Sequence, residues 1–78
     1  MSFLTIEKSK TAKTVWFFEE KLFVLLEDGR EIAIPLEWFP RLRDASDLQR
    51  KNWRLIGKGE GIHWGDIDED ISVEGLLI

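Results

Sequence analysis

The 78 residues contain no cysteine, which removes disulfide staples, thiolate zinc sites and cysteine nucleophiles together. No apolar run approaches the ~18 residues that a membrane span requires. The opening MSFLTIEKSK lacks the long apolar stretch of a secretory leader, so a cytoplasmic protein away from membranes is expected. Proline is confined to Pro35 and Pro40, and there is no Pro/Ser-rich linker, internal repeat or low-complexity tract. One domain over residues 1–78 is therefore expected, with residues 1–12 reading as an edge strand or a loose arm. The single histidine is His63. What the chain does have is 44% hydrophobic and 33% charged residues, with four tryptophans and five phenylalanines. That composition belongs to globular rather than disordered chains. Area scaling allows a folded chain of this size to bury about three-fifths of its extended surface, enough for one modest core.

Charge is unevenly distributed within the formal net of −4. Residues 41–58 hold six basic side chains against Asp44 and Asp47, whereas residues 59–78 hold six acids and no Lys or Arg. A basic middle followed by an acidic end suggests partial neutralisation within the fold.

Thr14 to Phe18 are β-branched or aromatic, as strands favour. Glu19 to Lys21 interrupt them as a turn would. Leu22–Leu26 forms a second apolar run that barely alternates, so a central strand covered on both faces is expected. Asp28-Gly29 then precedes Glu31–Ile34, a hairpin signal of the two-residue type, and Pro35 ends the third strand because it lacks an N–H. Pro35 and Pro40 bracket Leu36–Phe39, and a turn or a single helical turn is expected to start near Pro40. Ser46-Asp47-Leu48-Gln49 matches a capping box, predicting a short helix over 47–53 with Leu48 as its anchor. Arg54–Ile56 and Ile62–Trp64 read as two further strands about a glycine-rich turn, Gly57–Gly61. Ser72 is placed to cap a last helical turn. The expected architecture is α+β: one small antiparallel sheet of four to five strands, a meander plus a second hairpin, with one short helix and a short C-terminal helical turn.

His63 with Asp66, Asp68, Glu69 and Asp70 is the one cluster joining a histidine to carboxylates. Acids at alternate positions resemble the start of a calcium loop, but Ile67 and Ile71 punctuate them, and the glycine and distant glutamate of an EF-hand are missing. Catalysis by His63 would need an orienting partner and a nucleophile, and the sequence identifies neither. A solvated acidic loop is the expectation, with no metal or cofactor. Gly57-Lys58-Gly59-Glu60-Gly61 lacks the Walker form and a following helix, so it reads as a hairpin turn rather than a phosphate loop. Arg41, Arg43, Arg50, Lys51 and Arg54, with Trp38 and Trp53 nearby, compose a candidate nucleic-acid surface, opposed by the acidic character of the whole chain. Trp16, Phe17 and Phe18 are consecutive, so a strand must send them to opposite faces. They read equally as core or as an exposed aromatic patch for a partner.

With these residues in place, Ile34-Pro35-Leu36-Glu37-Trp38-Phe39-Pro40-Arg41-Leu42, Asn52-Trp53, Gly59-Glu60-Gly61-Ile62-His63-Trp64 and Ile67–Leu77 resemble the small bacterial domain-of-unknown-function family 2442. The hairpin around Asp28-Gly29 fits as well, and Gly65 departs from the pattern where a proline is expected. The resemblance implies an α+β fold with no assigned reaction and no catalytic residues. It also implies, for some relatives, an appended helix-turn-helix, which is not expected within residues 1–78. Other relatives are encoded beside a second small protein in the manner of toxin–antitoxin pairs. The expected function is a non-catalytic interaction or regulatory module, antitoxin-like in character, whose partner is another small protein encoded nearby. The alternative is a nucleic-acid-binding accessory protein using residues 41–58, and exposed sheet edges also allow a homodimer. Trp38, Arg41, Arg43, Trp53, His63, Trp64, Asp68 and Asp70 are the candidate interaction or family-motif residues.

Overall fold

The computed structural model describes residues 8–77. Most of the 1–12 segment read as a strand or arm thus lies outside the described residues, and Ala12 opens the first strand. Three strands form a meander: β1 (Ala12–Phe18), β2 (Lys21–Leu26) and β3 (Glu31–Pro35), all antiparallel with β2 central. The β1–β2 register shifts between Ala12 and Thr14. The extra residue, Lys13, lets Ala12 and Val15 both face the core although they stand three positions apart. Leu22, Val24 and Leu26 of β2 are buried and alternate with half-buried Phe23 and Leu25. The central strand is therefore fully covered on one face and only partly on the other.

Both hairpins depart from generic turns. Phe18 pairs with Lys21, leaving Glu19 and Glu20 as a two-residue turn with φ of 49° and 64°. Positive φ at both central positions is the mirror-image geometry that matches strand twist, here adopted by residues other than the usual Asn and Gly. The β2–β3 turn has three residues rather than two. The Gly29 N–H donates to Leu26 O at 3.0 Å, the Leu26 N–H donates to Arg30 O at 2.8 Å, and Gly29 takes φ 95°. Glycine at the third loop position is what this longer loop demands.

The expectation of a single sheet is corrected. Pro35 ends the first ladder, and residues 36–52 cross the core as a 3₁₀ turn (Leu36–Trp38) and two short helices, α1 (Pro40–Arg43) and α2 (Asp47–Lys51). They deliver the chain to a second antiparallel sheet, β4 (Trp53–Ile56), β5 (Gly61–Trp64) and β6 (Glu69–Ser72), with β5 central. A three-stranded sheet with one apolar face needs a cover, and the second sheet supplies it. The acidic 66–70 loop is corrected too, because Glu69 and Asp70 belong to β6 and pair with Trp64 and His63. The last helical turn forms where expected, as α3 (Val73–Leu76), whose Gly75 N–H donates to the Ser72 hydroxyl.

One core unites the two sheets: Val15, Leu22, Val24, Leu26 and Ile34 from the first, Ile62, Trp64 and Ile71 from the second, closed by Leu36, Leu42 and Val73. Phe17 meets Trp64 edge-on with ring centroids 6.2 Å apart. The glycine-rich turn seals one end, because a Cβ on Gly59 (φ 94°) would lie 2.5 Å from the Ala12 carbonyl oxygen. Only glycine lets that turn seat against β1. The capping box of α2 forms as expected, with Gln49 N–H to Ser46 Oγ at 3.1 Å and Ser46 N–H to Gln49 Oε1 at 2.9 Å. Leu48, however, is 77% exposed and anchors nothing.

Candidate functional site

Two solvent-facing surfaces carry the chemistry. On the outer face of the first sheet, strand alternation turns Thr14, Trp16 and Phe18 of β1, Phe23 and Leu25 of β2, and Ala33 of β3 away from the core. Trp16 lies opposite Phe23 across the ladder, and their rings stack at 5.4 Å with 6° between planes. Trp16 is 36% exposed and Phe18 62%. The run Trp16-Phe17-Phe18 thus divides as its period requires: Phe17 goes inward and its neighbours outward. Trp38, on the 3₁₀ turn, is 59% exposed.

On the outer face of the second sheet, Arg54, His63 and Asp70 occupy one cross-strand row. Asp70 Oδ1 bonds directly to His63 Nδ1. The sequence offered no orienting partner for His63; β6 provides one, because a strand rather than a loop carries Asp70 there. An imidazole fixed at Nδ1 presents Nε2 to its surroundings, here a shallow concavity of about 270 Å³ lined by Asn52, Trp53, Arg54, His63 and Gly65. Among the described residues, no serine or threonine lines it. Among the described residues, no three His, Asp or Glu side chains come together as a metal site.

The other candidates disperse. Trp64 is fully buried, and its indole N–H donates to the Arg50 carbonyl at 3.0 Å, so it belongs to the core and not to an interaction surface. Trp53 is half-buried against that core. Arg41 donates to the backbone carbonyl of Asp68 at 2.6 Å, fixing the β5–β6 turn in which Asp68 takes φ 52°. Arg43 pairs with Asp44 and Glu37, and Asp44 in turn is held below the usual carboxylate range by its hydrogen bond and attraction to Arg43. Arg50, which sequence reasoning placed on a nucleic-acid surface, points inward. Its Nε and Nη2 donate to the carbonyls of Leu42 and Arg43 at 2.8 and 2.7 Å, and its guanidinium lies over the Phe17 ring. These bonds satisfy the open carbonyls at the end of α1. Of the five residues in the basic stretch, Arg41, Lys51 and Arg54 have no ion-pair partner among the described residues, and only Arg41 of these is held by a backbone carbonyl.

The molecule is thus a small α+β domain of two packed three-stranded sheets, its outer faces aromatic on one side and polar on the other. Over residues 12–77 it matches the model of the family described as "Protein of unknown function (DUF2442)", and the chain belongs to that family. It is also similar to a protein of unknown function from Rhodospirillum rubrum solved by crystallography. That likeness has 32% sequence identity and a TM-score of 0.74, and covers 86% of this chain and 83% of that one. No curated protein matches the chain.

Proposed function

We infer that this chain is a non-catalytic interaction module, regulatory and antitoxin-like in character, which engages a second small protein through the outer face of its first sheet. The stacked Trp16–Phe23 pair beside exposed Phe18 carries the reading. Rings already ordered against each other lose little freedom on docking, and aromatic side chains dominate the buried centres of protein interfaces. Co-expression with the product of the neighbouring gene, followed by size-exclusion chromatography, tests it. A co-eluting complex that Phe18→Asp dissolves is the expected result, and two species migrating separately would reject the reading. Nucleic-acid binding by residues 41–58 has weaker support, because the guanidinium groups of Arg41, Arg43 and Arg50 are engaged by the protein's own carbonyls and carboxylates.

A further inference from the structure

Four strands border the two sheets, and their open sides differ. β3 ends in Pro35, which offers no N–H. β6 is acidic and follows a turn clamped by Arg41. The start of β1 is seated under Gly59. β4 has no such guard. Among the described residues, its backbone groups over Trp53–Ile56 bond only within the β5 ladder, so alternate N–H and C=O groups face outward unpaired.

Both sides of that edge are furnished. To one side lies a cleft of about 310 Å³, walled by Val15, Trp16, Phe17 and Trp53, with Lys51 and the Arg50–Asp47 pair (3.9 Å) at its border. On the outer side stands Arg54, unpaired and directly opposite the carboxylate-held His63. Lys51 and Lys58, just before and just after the strand, also lack ion-pair partners among the described residues.

We propose that the β4 edge takes an extended segment of a partner protein in which apolar and acidic residues alternate. Backbone bonds to β4 supply the pairing. Successive side chains of an extended segment point to opposite faces, so an apolar side chain enters the Trp16–Trp53 cleft while its acidic neighbours, turned the other way, meet Arg54; Lys51 and Lys58 flank the two ends of the strand. Charge complementarity selects the occupant: this edge carries three cations without an ion-pair partner among the described residues, in a chain that is acidic overall. The proposal shares Trp16 with the aromatic-face reading, but Phe18 and Phe23 take no part in it, so substitution at Phe18 separates the two.

The test is titration of the ¹⁵N-labelled full chain with an acetylated, amidated hexapeptide alternating leucine and aspartate. Two control peptides accompany it, one methylated on its backbone nitrogens and one with asparagine in place of aspartate. Amide shifts centred on Trp53–Ile56, abolished by backbone methylation, are expected. Arg54→Glu, an exposed position, should weaken binding about tenfold, as should the asparagine peptide, whereas Phe18→Asp should leave the affinity unchanged. Absence of binding, affinity indifferent to backbone methylation, or shifts confined to Phe23 and Ala33 would overturn the proposal. A concentration-dependent dimer with the β4 amides already protected would do the same, by assigning the edge to a second copy.

Discussion

Gly59 and Asp28 show how much of this fold rests on single side chains, or on the lack of one. At Gly59 a methyl group would strike the backbone of β1, and the φ of 94° is closed to other residues. Neither obstacle is the flexible end of a side chain. Gly59→Ala should therefore cost about 3 kcal/mol, read as a lowered urea midpoint. Asp28 works in the opposite sense, by accepting bonds. The backbone N–H of Ser9 donates to it at 2.8 Å, and the backbone and Nε of Arg30 donate at 3.1 and 3.0 Å. The Ser9 amide first, then those of Arg30, hold its carboxyl below the ordinary carboxylate value. A depressed folded-state value means stability that is present in full above the unfolded value, near pH 4, and lost as pH falls through the folded one. Asp28→Asn should accordingly be less stable than the parent at neutral pH. The gap should close on acidification below about pH 4, as denaturant curves across that range would record.

Among the elements, those whose residues bond to near neighbours were legible in the sequence, and those held by distant partners were not. Ser46-x-x-Gln49 announced α2, Pro35 announced the end of β3, and Ser72 announced the last helical turn, because caps and proline blocks act within a few residues. β6 escaped notice because Asp and Glu are depleted in strands. Glu69–Ser72 is a strand only by virtue of β5 alongside it and the His63–Asp70 bond across the pair. The same cause hid half of the candidate site: read as a loop, Asp70 had no reason to face His63. Leu48 misled in the reverse direction, since a leucine in a helix suggests an anchor, whereas α2 is held by Arg50. The β1–β2 turn remains the least adapted element, with two glutamates in left-handed backbone. Replacing Glu19-Glu20 with Asn-Gly should raise stability by about 1 kcal/mol or more, visible as a higher melting temperature.

At the scale of the whole molecule, neither sheet has an apolar interior of its own. Leu22, Val24 and Ile34 find their cover in Ile62, Trp64 and Ile71, and the reverse holds equally. Unfolding should thus be a single transition. Tryptophan fluorescence, sensitive to Trp64 between the sheets, and far-ultraviolet circular dichroism, reporting the strands of both sheets, should give superimposable urea curves. Separated midpoints would mean that one sheet survives the other. The division into two sheets was not legible beforehand because strand signals state what pairs locally and not where a chain turns over; residues 36–52 make that turn through contacts to carbonyls that no periodicity encodes. Their attachment has a consequence for how such a protein tolerates change. The arch between the walls is pinned at Arg50, while Asp44, Ser46, Asp47 and Leu48 lie at the surface. Length is fixed at that bend despite its exposure, so an inserted tag or an added module would part Arg50 from the Leu42 and Arg43 carbonyls and loosen the arch.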